Sequence, residues 1–132
     1  MARARPLSPF VTVYRWYPTM ATSIVHRITG IGLSLGTLLL AWWLIAAASG
    51  PEAYRSFTGL AASWIGQLVL FGFVWSLAFH LLNGIRHLAW DMGYGFAPAD
   101  ANRNSWIVIL LSLALAVAAF VAAYTGHGGY GA

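Results

Sequence analysis

Ser63-Trp64-Ile65-Gly66-Gln67-Leu68-Val69-Leu70-Phe71-Gly72-Phe73-Val74-Trp75-Ser76-Leu77-Ala78-Phe79-His80-Leu81-Leu82-Asn83-Gly84-Ile85-Arg86-His87 is the stretch on which the fold turns. No charge stands between Arg55, upstream of it, and Arg86 near its end. Arg27 is likewise followed by no charge until Glu52, and Arg103 by none thereafter. A bilayer-crossing helix needs about 20 predominantly apolar residues, so three spans are expected at about 22–48, 63–90 and 105–125. The whole chain agrees: of 132 residues, 60% are hydrophobic and 8% charged, against roughly a quarter charged in a soluble domain. The sequence reads as an all-α integral membrane protein, one transmembrane domain over residues 1–132.

The absence of cysteine excludes disulfides, thiolate-held iron–sulfur clusters and cysteine-attached haem within the chain. The first residues lack the apolar core of a signal peptide and instead carry Arg3, Arg5 and Arg15, as a retained basic arm would. All seven basic residues are arginine. Arg3, Arg5, Arg15 and Arg27 precede the first span, and Arg86 and Arg103 flank the second loop, whereas Arg55 stands alone in the first loop. The positive-inside rule then predicts a cytoplasmic N-terminus and an outward C-terminus. The same distribution makes the lipid bilayer, not nucleic acid, the partner of the basic charge.

Pro6, Pro9 and Pro18 among Phe10, Tyr14, Trp16 and Tyr17 predict an irregular arm over residues 1–20 on the cytoplasmic face. The outer connection, residues 49–62, opens with Gly50-Pro51 and has room for a short surface helix; residues 92–104 read as an inner loop, and Gly126–Gly131 as a mobile tail. Gly32 and Gly36, and Ala116, Ala119 and Ala123, are small residues at spacings that admit a neighbouring helix.

The second span carries Gly72, Ser76, His80, Gly84 and His87 along one stripe, continued by Asp91. Spacing of seven is two helical turns, so both imidazoles share a face. An ionisable group at such depth marks a functional site, and imidazole is a common axial ligand of haem iron. His80 can serve as that ligand or bond a carbonyl; His87, nearer the boundary, reads as interfacial. In the first span Ser23, His26 and Arg27 share a face at i, i+3 and i+4, continued by Gly30, Ser34 and Thr37. Arg27 can hold a carboxylate or carbonyl acceptor or snorkel to lipid headgroups. Two histidines facing each other across the spans would mark a self-contained cytochrome. His26 and His80 are candidates for such a pairing, but their inferred depths differ, so it is disfavoured.

Arg5-Pro6-Leu7-Ser8-Pro9, then Ser23-Ile24-Val25-His26-Arg27-Ile28-Thr29-Gly30, then His80-Leu81-Leu82-Asn83-Gly84-Ile85-Arg86-His87 with Asp91-Met92-Gly93-Tyr94, resemble the cytochrome b556 subunits of succinate dehydrogenase. These are the larger membrane anchors of respiratory complex II in the bacterial inner membrane. The resemblance implies half of a haem-binding helix bundle, completed by a second membrane anchor subunit, with a flavoprotein and an iron–sulfur subunit docked on the cytoplasmic side. It implies one haem b with His80 as axial ligand and a partner histidine opposite. It also implies His26 and Arg27 at the haem propionates, and Ser23 and Arg27 at the ubiquinone site. Asp91 matches an aspartate near the quinone end, where proton delivery is expected, and His87 a histidine that is not the usual ligand. Such a chain would pass electrons from succinate towards ubiquinone without succinate chemistry of its own. Other readings are a structural anchor without cofactor and the cytochrome b anchor of a related quinone-linked enzyme such as fumarate reductase.

Overall fold

The computed structural model describes residues 13–126. Four helices follow in order: α1 (Pro18–Ala48), α2 (Pro51–Ala62), α3 (Trp64–Asp91) and α4 (Pro98–Gly126), with no strand among the described residues. α1, α3 and α4 are long and apolar enough to cross a membrane, as the charge-free intervals predict, and α2 is the short helix of the first connection. Two helices begin earlier than expected, α1 at Pro18 rather than near 22 and α4 at Pro98 rather than near 105. Proline suits the first turn of a helix, where its missing N–H would have no partner. Asp100, in the first turn of α4, meets the positive end of the helix dipole and pairs with Arg103 at 2.9 Å. Intervals bounded by charge miss such turns, because these helices continue past the hydrocarbon. The inner loop therefore shrinks from 92–104 to 92–97, turning at Gly93 and Gly95, both at positive φ (87° and 76°).

Of the arm expected over residues 1–20, only the part from Val13 is described. Tyr14–Tyr17 have no regular structure; Tyr14 meets Trp16 edge-on and its hydroxyl approaches the Met20 sulfur. The rest of the arm, and the tail from His127, lie outside the described residues.

The elbow from α2 to α3 is built around Ser63. Its hydroxyl accepts from the Gly66 N–H at 3.1 Å and donates to the Leu60 carbonyl at 2.6 Å, capping α3 while closing α2. The chain turns so tightly here that a Cβ on Gly66 would overlap the Leu60 and Ala61 carbonyls. Gln67 then donates to the Ala61 carbonyl at 2.9 Å and accepts from the Tyr124 hydroxyl at 2.7 Å, joining α2, α3 and α4 at one end.

Burial is inverted relative to a soluble bundle. Large apolar side chains such as Ile28, Leu38, Leu68, Leu81 and Leu110 are exposed, a pattern that in water would be an aggregation liability and in a bilayer faces lipid or neighbouring subunits. The interior holds small and polar groups: Thr22, Thr29, Asn83, Ser105 and Ser112, with Phe79 and Ala116. Without a hydrophobic driving force between helices, such interiors cohere through close packing and hydrogen bonds. Gly36 leaves room on α1 for a side chain of α3, since a Cβ there would enter the Phe73 ring. Gly32 faces the Ser76 hydroxyl, so the glycine pair serves contacts inside the chain. On α4 Ala116 is buried, while Ala119 and Ala123 remain on the outer surface.

Candidate functional site

α1 and α3 run antiparallel, so His26 in the first third of α1 meets the last third of α3. Its ring lies against His80 with centroids 3.9 Å apart and planes 11° from parallel. His87 lies 5.4 Å from His26, tilted to it, and stands edge-on to Trp90 at 5.1 Å. The expected difference in depth between His26 and His80 is thereby corrected. Because α1 begins at Pro18, His26 sits two turns into the helix, roughly 12 Å of rise at 1.5 Å per residue. The pairing as opposite iron ligands remains disfavoured for another reason, since rings stacked face to face do not present nitrogens to a common metal between them.

The hydrogen bonds of His80 fix its tautomer. Its Nδ1 lies 3.2 Å from the His26 carbonyl oxygen and 3.3 Å from the Thr29 hydroxyl. A carbonyl only accepts, and the Thr29 hydrogen is itself donated to the His26 carbonyl at 3.0 Å. Nδ1 is therefore a donor, so in the neutral ring Nε2 carries the lone pair, and Nε2 has no hydrogen-bond partner among the described residues. A Cβ on Gly30 would come within 3.2 Å of His80 Cε1, so glycine leaves the space the ring uses.

Ser23 is half-buried and Arg27 exposed, and neither makes a side-chain hydrogen bond among the described residues. Asp91 is exposed, ends α3 and makes no ion pair there. Ser23, His26 and Arg27 thus gather at one end of the bundle with His87, as their spacing predicts.

Arg86 departs from its expected place beside the loop. It is buried at 6% exposure, donating from one terminal nitrogen to Ser105 Oγ at 2.6 Å and from the other to Thr22 Oγ1 at 3.0 Å. Its guanidinium carbon lies 4.5 Å from the centre of the Trp90 ring. Thr22, Thr29 and Ser105 are given no interior role by the sequence reading, although a usable signal exists. Thr22, Thr29 and Gly36 recur every seven residues, as do Ser105 and Ser112, and Phe79, Asn83 and Arg86 fall on one face of α3.

Three apolar helices around a polar interior, with imidazoles stacked between antiparallel spans, have the architecture of a membrane-embedded helical bundle. A family model described as succinate dehydrogenase/fumarate reductase transmembrane subunit matches residues 1–119, and the chain belongs to that family. It is 44% identical over 113 residues to the succinate dehydrogenase cytochrome b556 subunit of Paracoccus denitrificans, covering 86% of this chain and 87% of the relative. It is 38% identical to the subunit of the same name in Rickettsia prowazekii, covering 89% and 91%. The mitochondrial cytochrome b560 subunit of Sus scrofa is 40% identical, over 83% of this chain and 66% of the relative.

Proposed function

We propose that this chain is the larger membrane anchor of a succinate:ubiquinone oxidoreductase, sharing one haem b with a second membrane anchor and contributing to the ubiquinone-reduction site. The observation that carries this is the environment of His80. Metal-ligating histidines characteristically donate their second ring N–H to a carbonyl or similar acceptor, which fixes the tautomer and orients the ring. His80 does this through Nδ1 towards α1, and its Nε2 is the nitrogen suited to iron. The donor set fits haem b, which supplies a one-electron store when bound.

His26 and Arg27 would hold the haem propionates, Arg27 through charge-assisted hydrogen bonds. The Ser23 hydroxyl would donate to a quinone carbonyl. Arg27 would favour the negative charge that develops on that oxygen during reduction, acting as a preorganised cation. Asp91, exposed at the end of α3, would carry protons from water to the reduced quinone. The succinate direction follows the names of the relatives, with flavoprotein and iron–sulfur subunits as the further partners. Arg15, Arg27, Arg86 and Arg103 lie towards one end of the bundle and Arg55 in the opposite connection, supporting a bacterial inner-membrane orientation with the N-terminus cytoplasmic.

The reduced-minus-oxidised spectrum of the purified complex tests the reading. His80→Ala is expected to abolish or alter the b-type band, and an unchanged spectrum would reject His80 as ligand. Arg27→Ala is expected to impair quinone reduction while succinate oxidation by phenazine methosulfate continues; normal quinone reduction would return Arg27 to a lipid-facing role.

A further inference from the structure

Arg86 is an arginine inside the bundle with no carboxylate paired to it among the described residues. Burying a charge in this way is costly unless its donors are satisfied, and a boundary arginine has the alternative of snorkelling outward, as the exposed Arg27 is free to do. Arg86 instead turns inward to two hydroxyls on two different helices. Each hydroxyl is prepared to accept. Thr22 Oγ1 donates its hydrogen to the Thr19 carbonyl at 3.0 Å, and Ser105 Oγ donates to the Ala101 carbonyl at 2.8 Å. Both oxygens therefore present lone pairs to the guanidinium, and the fork of α3 grips α1 and α4 together. Trp90, one turn further along α3, covers the guanidinium and donates to the Gly95 carbonyl at 3.1 Å, anchoring the grip to the α3–α4 loop.

The residue gripped on α1 decides what this does. Thr22 directly precedes Ser23 and lies one turn before His26. Successive helical residues are separated by about 100° around the axis, so holding Thr22 towards the interior sets the direction in which Ser23 emerges. We propose that Arg86 is a positioning residue for the quinone site: by bonding Thr22 and Ser105 at once, it fixes the rotation of the first turns of α1 and hence the placement of Ser23 and Arg27. This rests on the reading of Ser23 and Arg27 as quinone ligands. The function lies in the two-pronged geometry, which a lysine, with the same charge but a single ammonium, does not reproduce.

The test is made on the assembled complex with ubiquinone-1 as acceptor. Copurification of subunits and phenazine methosulfate-linked succinate oxidation report assembly. Thr22→Val removes one acceptor while keeping the shape, and is expected to raise the KM for ubiquinone-1 about tenfold, the scale of one lost hydrogen bond to a charged group, with a smaller change in kcat. Thr22→Ser restores the hydroxyl and is expected to restore the KM. Arg86→Lys is expected to behave like Thr22→Val. A wild-type KM in Thr22→Val, or in an assembled Arg86→Lys complex, overturns the proposal; if Arg86→Lys does not assemble, the Thr22 pair decides. Ser23→Ala separates the two ideas. An unchanged KM in Ser23→Ala means that the quinone reading itself fails, and the positioning role with it. A raised KM there beside an unchanged one in Thr22→Val overturns the positioning role alone.

Discussion

The His26 and His80 rings are stacked, 3.9 Å between centroids and 11° from parallel, one from each of two antiparallel spans. The contact makes His26 a wall behind His80 rather than its counterpart. The His26 backbone carbonyl bonds the same ring that the His26 side chain covers, so one residue fixes both the tautomer and the tilt of the proposed ligand. A histidine held this way would enter the proposed haem site with its geometry already set.

Replacing His26 should therefore disturb the haem without removing its ligand. His26→Ala is expected to keep a b-type band of reduced intensity or altered width, because His80 stays bonded to the backbone of residue 26 but loses its stacked neighbour. His26→Phe, which preserves the flat face but not a propionate bond, should restore the band shape only in part. Optical and paramagnetic-resonance spectra of the complex check this. Loss of the low-spin signal in both variants to the extent seen with His80→Ala would show that His26 is itself required for iron ligation, beyond backing the ring and holding a propionate.

Thr29 links the same two histidines through one hydroxyl, donating to the His26 carbonyl and accepting from His80 Nδ1. Thr29→Val is nearly isosteric and leaves the carbonyl to hold Nδ1 alone. The expected cost is about 1 kcal/mol, the net worth of an ordinary hydrogen bond, with haem retained. The lifetime of the haem band at elevated temperature should shorten, while the spectrum at room temperature stays unchanged.

The spans were legible because charge is so rarely tolerated in hydrocarbon that its absence from long intervals is decisive. Ser23, His26, Arg27 and His87 were legible as neighbours because helical spacing puts them on defined faces near one end. What the sequence concealed follows from how the spans were bounded. Reading Arg27, Arg86 and Arg103 as edges placed Arg86 at the boundary beside the loop, whereas its fork finds acceptors inside the bundle. Starting α1 near residue 22 put His26 too shallow, since Pro18 begins the helix and does not break it. Thr22, Thr29 and Ser105 did not stand out as interior groups because isolated hydroxyls are common in membrane helices, where they can bond the preceding turn of their own backbone. Their importance depends on which residue of another helix faces them, and a single chain's periodicity does not specify that.

Gly36 on α1 leaves the space that the Phe73 ring of α3 occupies. Gly36→Ala should cost about 1–3 kcal/mol, as for overpacking of a filled interior, and lower the yield of assembled complex. Phe73→Leu on the same chain should recover part of that loss, since it clears the space the new methyl enters. A double-mutant cycle on thermal stability measures the coupling, and strictly additive losses would show that the two positions do not compete for the same volume.

At the other end of the bundle, Gln67 bonds in two directions, to the Ala61 carbonyl and to the Tyr124 hydroxyl. The two bonds differ in what is left behind when they are cut. Tyr124 is exposed, so Tyr124→Phe costs about 1 kcal/mol or less, the net value of one hydrogen bond. Gln67→Leu removes both bonds and also strips a partner from a carbonyl at the tight α2–α3 elbow, where an unpaired group carries a desolvation penalty of about 1–3 kcal/mol. Gln67→Leu should therefore loosen the elbow, seen as faster amide hydrogen exchange in the last turn of α2, while Tyr124→Phe leaves exchange there near the wild-type rate. Equal exchange in the two variants would show that α2 is held by Phe57 against Trp42 and owes nothing to the Gln67 amide.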